Sequence, residues 1–281
     1  MRGDAGDLGG TAADSPGLCP EPAVRREWRG LEKREKDSFI EAVRCLFEKR
    51  SLFPDRGSMY DDIVFVHQIS GQAGQCNQGF QRMTPIADRF LAHKHPSFLP
   101  WHRWFIHQFE RKLREECGYD GYLPYVEFPH SWQEQLSKGL TRPPLSYWDW
   151  GLDWHNLAGS LIWDNEEGFG SQPSTGVEVS APDQRTDNSC VSGPFKDIKL
   201  LHFNLTIRPH CLSRQFELSK SEDHGMFSGE LMTPEAIGQL GRSREYGSLR
   251  YGLEAIHDVI HNGVIGDMNT WSSANGKFCP K

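Results

Sequence analysis

The residues best able to do chemistry in this chain are its histidines, and two groups of the twelve have metal-ligand spacing. In Glu254-Ala255-Ile256-His257-Asp258-Val259-Ile260-His261 the two histidines stand four apart. On a helix, positions i and i+4 lie one above the other, so both imidazoles point the same way and can hold one metal ion. The second group is His93-Lys94-His95-Pro96-Ser97-Phe98-Leu99-Pro100-Trp101-His102-Arg103. Its prolines put His93 or His95 on a loop, while His102 opens the next helix. A loop ligand folded back towards a helix ligand grips an ion from two sides. His67, at the end of the apolar run Asp62-Ile63-Val64-Phe65-Val66, adds a third nitrogen. Imidazole-only coordination suits copper, zinc, iron or nickel alike. A zinc-protease site on His257 and His261 finds no support, because Asp258, Val259 and Ile260 leave no Glu between them as general base.

To bring these residues together the chain has to be mainly helical. Leu31, Phe39, Val43, Leu46 and Phe47 return at helical spacing within residues 24–50, which read as an amphipathic scaffold helix. Residues 101–116 run without Pro or Gly and read as a second helix, and residues 247–262 as a last one, with Leu253, Ile256 and Ile260 turned to the core. Residues 1–22, rich in Gly, Asp, Ala and Pro, read as a disordered leader. Residues 126–146 are polar and aperiodic, and residues 151–193 form a long loop region of the kind that lines a functional site or is mobile. Strands are few and no internal repeat is visible.

Composition narrows the class further. A net charge of −7 argues against general nucleic-acid affinity, which needs a basic footprint. No apolar run approaches the ~18 residues of a membrane helix. The seven cysteines (19, 45, 76, 117, 190, 211 and 279) include no C-x-x-C pair, so a zinc ribbon or thioredoxin-like site is not expected. Scattered cysteines fit disulfides in a secreted protein or isolated buried thiols in a cytosolic one. The sequon Asn204-Leu205-Thr206 weighs for secretion and the lack of an apolar signal core in Met1 to Leu8 against it, so the compartment stays open. Cys190 and Cys211 flank the sequon-bearing segment and are expected to pair.

Phe98-Leu99-Pro100-Trp101-His102-Arg103, with His93 nine residues before His102 and Glu110 eight after it, resembles the first copper-binding signature of tyrosinases. Tyr147-Trp148-Asp149-Trp150 resembles that family's Pro-Tyr-Trp-Asp-Trp element, which commonly follows a segment like Cys117-Gly118-Tyr119. Residues 253–268 resemble the first half of the second copper-binding signature. Together these matches run in order from about residue 24 to 275. The resemblance implies a tyrosinase-like helical bundle over residues 23–281, holding a di-copper site among long irregular loops. It implies copper as cofactor, with His67, His93 and His102 on the first ion and His257 and His261 on the second; His93 is preferred to His95 by its spacing to Phe98. His107 is expected on a helix surface, and His130, His155, His202, His210 and His224 in loops, solvated or locally hydrogen-bonded.

The implied activity is oxidation of o-diphenols to o-quinones with dioxygen, extending in true tyrosinases to monophenols. The partners are then a small phenol and dioxygen. Asp258 stands where some relatives have Asn, which puts monophenol hydroxylation in question. Leu91 stands where some relatives carry a Cys, so no thioether crosslink is expected. The departure is at the end. No His follows His261, and Ser272-Ser273-Ala274-Asn275 runs into Gly276-Lys277-Phe278-Cys279-Pro280-Lys281 where the family places its last ligand of the second copper. The expectation is a chain cut short there, with translated intron after residue 275, an inserted segment at 126–146, and an incomplete second copper site. The alternative is an inactive or truncated copper- or oxygen-binding module of the same fold.

Overall fold

The first long helix starts where Glu35 accepts a hydrogen bond from the backbone N–H of Glu32 at 2.8 Å, one half of a capping box. From there Phe39, Ile40, Val43 and Leu46 fall on one stripe and are buried. In the computed structural model, which describes residues 26–54, 57–71, 92–121, 146–173, 190–203, 206–218 and 227–268, this helix is α1, Lys33–Glu48. The leader at 1–22, the segment at 126–145, Asn204 and Leu205 of the sequon, Leu91, His130 and His224 lie outside the described residues. The helix expected over 24–50 is therefore shorter. Ahead of α1, Arg26–Glu27 form a strand, β1, and Trp28–Gly30 a 3-10 turn that buries Trp28. Gly30 and the Glu32 cap explain the late start.

The apolar run before His67 belongs to a helix, α2, Met59–Gly71. Short β-branched runs do not declare their state by periodicity, but the acids at its start do. Asp61 accepts from Ser58 N–H at 3.0 Å, from Ser58 Oγ at 2.6 Å and from Leu201 N–H at 3.1 Å. Carboxylates in a first turn also face the positive end of the helix dipole.

Helix α3, Phe98–Cys117, begins three residues earlier than expected, with Pro100 in its first turn, where no intrahelical donor is needed. It ends on Gly118 at φ +65°, with Tyr119 N–H bonded back to Leu113 O at 3.1 Å. A disulfide joins Cys117 to Cys45 near the end of α1.

Strand β2, Ser146–Tyr147, pairs in parallel with β1. The expected loop region begins with a short helix, α4, Trp150–Asp153, followed by 3-10 turns at Leu157–Gly159 and Leu161–Trp163. Asp153 anchors it by accepting from Trp148 Nε1 and Ser160 Oγ, both at 2.6 Å, and from the Arg29 guanidinium.

Strands β3, Lys199–Phe203, and β4, Thr206–Cys211, form an antiparallel hairpin. His202 and His210 thus lie on strands rather than in loops. The expected Cys190–Cys211 disulfide is present, with the Cα atoms 5.6 Å apart. Helix α5, Pro234–Gly241, starts on Thr233, whose Oγ1 accepts from Ala236 N–H, and packs against α6, Tyr246–Val264. None of the described helices is long and apolar enough to cross a membrane.

These elements form two apolar cores. One gathers Trp28, Phe39, Ile40, Val43, Leu46, Leu113, Tyr119 and Phe195. The other gathers Leu157, Met232, Ile237 and Ile256. Helix α3 reaches into the first, α6 into the second, and the two helices meet.

Candidate metal centre

Three separate pieces of chain deliver the first histidine group. His67 comes from α2, His93 from the loop before α3, and His102 from the start of α3. Each offers one ring nitrogen, and the three nitrogens lie within 4.8 Å of one another. The rings stand 5.2 Å (His67–His93), 5.7 Å (His67–His102) and 5.2 Å (His93–His102) apart between centroids. Trp101 and Phe105, stacked 5.0 Å apart, wall off His67.

The i, i+4 pair on α6 closes the other side. His257 and His261 have their Nε2 atoms 3.0 Å apart. The His257 ring is 5.2 Å from His93 and 5.7 Å from His102, so all five expected residues face one volume. Phe98 sits between the groups, 4.7 Å from the His102 ring and 5.3 Å from His257.

Backbone carbonyls fix which nitrogen points inward. Nδ1 of His102 lies 2.8 Å from Phe98 O, and Nδ1 of His261 lies 2.5 Å from Met268 O. A carbonyl can only accept, so each Nδ1 carries the proton and each Nε2 keeps its lone pair. The Nε2 of His102 is buried with no hydrogen-bond partner among the described residues, the state expected of a ligand atom. Burial and the neighbouring imidazoles push His93 down to about 2. Burial lowers His102 to about 4, against the Phe98 carbonyl, which favours the charged form. Burial and His261 push His257 well below the ordinary range. Neutral imidazoles at neutral pH are what a borderline-soft transition metal requires, and the described residues build no carboxylate cage around them for a hard, oxygen-seeking ion. Copper therefore fits the donor set.

The two groups are tied together by Lys94, which sits between His93 and His95 with φ +53°. Its backbone N–H donates to Oε1 of Glu254, while Glu254 Oε2 receives Arg250 at 2.6 Å. Lys94 Nζ reaches Asp258 Oδ2 at 2.8 Å. Asp258 also lies 3.5 Å from Nδ1 of His257 through its other oxygen. With Nε2 of His257 given to a metal, its proton can ride on Nδ1, facing that carboxylate.

The remaining histidines do other things. Nδ1 of His95 accepts from the N–H of Ser97 at 3.2 Å and lies 2.7 Å from its Oγ, which separates His95 from His93. His107 and His155 are exposed. His210 is not a solvated loop residue: it is buried, with Nε2 3.0 Å from Asp267 Oδ1. Among the described residues no sixth imidazole joins the five. Sequence reasoning did not single out Lys94 or Glu254 as supports, although Glu254 falls on the same stripe of α6 as the histidines, three residues before His257.

Residues 57–142 match the common central domain of tyrosinase. The chain is 35% identical over 260 residues to Tyrosinase ustQ of Aspergillus flavus, covering 92% of this chain and 60% of that protein. It is 33% identical over 258 residues to Tyrosinase-like protein phomQ2 of Diaporthe leptostromiformis, covering 92% and 54%. The chain thus spans little more than half the length of these relatives. Among solved structures, a mutant of the polyphenol oxidase from Thermothelomyces thermophila superimposes with a TM-score of 0.56 at 22% identity, over 90% of this chain and 65% of that one, and so shares its fold.

Proposed function

This chain belongs to the tyrosinase family, whose common central domain it carries at residues 57–142, and we propose that it is a copper-dependent oxidoreductase acting on a small phenol with dioxygen. His67, His93 and His102 hold one ion, and His257 and His261 belong to the second. The substrate class is an o-diphenol, converted to the o-quinone. The observation that carries this reading is the convergence of five imidazoles from α2, the loop before α3, α3 itself and α6 on one buried volume.

Bound copper supplies the coupling of dioxygen reduction to phenol oxidation. The protein's share is positional. The Phe98 and Met268 carbonyls keep Nδ1 of His102 and His261 protonated, so that Nε2 is available without rearrangement. Phe98, Trp101 and Phe105 pack around the rings and exclude water from the donor atoms. Lys94 fixes the spacing of the two histidine groups through Glu254 and Asp258.

The test is to load the purified chain with copper, count ions per chain, and follow catechol oxidation by quinone absorbance. Copper retained in full after joint replacement of His102 and His257 by Ala would remove the basis for this reading.

A further inference from the structure

The turn that follows α6 is held more tightly than a helix exit requires. Ile265 lies at φ +49°, a costly place for a β-branched residue, and Gly266 follows at φ +58°. A Cβ on Gly266 would stand 2.3 Å from the Ser213 carbonyl oxygen, so only glycine passes there. Next comes Asp267, 1% exposed. Its N–H donates to Ser213 O at 3.2 Å, and its Oδ2 accepts from Ser213 N–H at 2.8 Å and Ser213 Oγ at 3.0 Å. Its Oδ1 faces Nε2 of His210 at 3.0 Å, and Nδ1 of His210 lies 2.7 Å from Arg208 O. Helix carbonyls just upstream are taken by the same neighbouring segment: Gln215 N–H bonds Val264 O and Glu217 N–H bonds Gly263 O.

One product of this clamp is the placement of the next residue. Met268 O lies 2.5 Å from Nδ1 of His261, seven residues back, across the helix end. Had the turn relaxed, that carbonyl would leave and His261 could take either tautomer. A His261 protonated on Nε2 would present a proton, not a lone pair, towards His257, 3.0 Å away.

We propose that Asp267 is a positioning residue for His261: by fixing the turn at 265–268 against Ser213 and His210, it holds the Met268 carbonyl on Nδ1 and so sets the tautomer that binds metal. The proposal rests on the reading of His261 as a copper ligand. Loss of such an outer partner typically weakens a metal site ~10–100-fold. Asn at 267 can reproduce the side-chain contacts, its oxygen accepting from Ser213 and its NH2 facing His210 Nε2, whereas Ala keeps only the backbone bond to Ser213 O.

The experiment uses the metal-free chain with 15N-labelled histidine, in which long-range proton–nitrogen correlation reads the tautomer of each ring. Cu(I) competition against a chromophoric chelator then reads affinity. Wild type and Asp267→Asn are expected to show His261 as the pure Nδ1–H form, and Asp267→Ala a mixture of both tautomers, with the weaker copper bound ~10–100-fold less tightly. A folded Asp267→Ala that keeps the pure tautomer and full affinity overturns the proposal, as does an Asn variant as mixed as the Ala one. If Asp267→Ala does not fold, Ser213→Ala and His210→Gln take its place: a shifted tautomer in either supports the clamp, and none in both overturns it. Copper counted on His261→Ala separates the two layers. Two ions retained there, with the tautomer still following Asp267, would leave the clamp standing and remove His261 from the ligand set.

Discussion

The backbone N–H of Lys94 donates to the buried carboxylate of Glu254, 160 residues further along the chain. With the bond from Lys94 Nζ to Asp258, this contact joins the loop carrying His93 to the helix carrying His257 and His261. Glu254 is 2% exposed and its partner Arg250 4%, so neither charge has water to fall back on.

Glu254→Ala is therefore expected to leave Arg250 buried and unmatched, and to lower stability by about 3–5 kcal/mol. Glu254→Gln, which keeps an acceptor for the Lys94 N–H, should cost clearly less. Urea unfolding of the two variants beside the parent measures both. Equal losses would show that the hydrogen bond to Lys94 carries none of the difference.

His102→Ala should empty the three-histidine half while the fold persists. Its Nε2 is a buried donor atom with no other partner among the described residues, and a lost ligand should weaken binding at least as much as a lost supporting contact, about 100-fold. Copper per chain by elemental analysis, with far-ultraviolet circular dichroism as the control for folding, decides it.

The metal-free chain should lose stability in mild acid. His93 and His102 take up protons in the folded state only near about 2 and about 4, whereas the unfolded chain does so near the ordinary 6.5. Between those values the unfolded state holds more protons, so stability rises with pH and falls as pH drops below about 6.5. Melting temperatures across pH 7 to 4.5 test the sign; a flat profile would contradict it. Ligation also needs neutral imidazole, which His102 keeps in the folded chain down to about 4, so copper should leave with unfolding rather than ahead of it.

Gly266→Ala is expected to destabilise by at least about 2 kcal/mol, from the left-handed backbone and the contact with a carbonyl that cannot swing away. Gly30→Ala, where a Cβ meets nothing within 4 Å, is the control and should change little. Thermal unfolding of the pair suffices.

What the sequence made legible was local. His257 and His261 announce themselves by a spacing that any helix turns into a shared face, and Phe39, Val43 and Leu46 announce α1 in the same way. Lys94 does not, because a left-handed residue other than glycine has no compositional mark. Neither does the pairing of His210 with Asp267, which depends on a contact across 57 residues. The run before His67 is too short to reveal its helix by period, and its start is set by Asp61, whose bond to Leu201 spans 140 residues. Of the two disulfides among the described residues, Cys190–Cys211 closes a short loop and was legible, while Cys45–Cys117 needs α1 and α3 already laid side by side.

That last bond divides the candidate centre unevenly. Cys45 and Cys117 are 72 residues apart, and His67, His93 and His102 all lie within the covalent ring they close, while His257 and His261 lie outside it. In the unfolded chain three of the five imidazoles are thus confined to a cycle and meet one another more often than an open chain allows. The other two must find them across a free length of polypeptide. The three-histidine group therefore assembles at a higher effective concentration of its own members. On partial unfolding from the α6 side it is the site expected to survive.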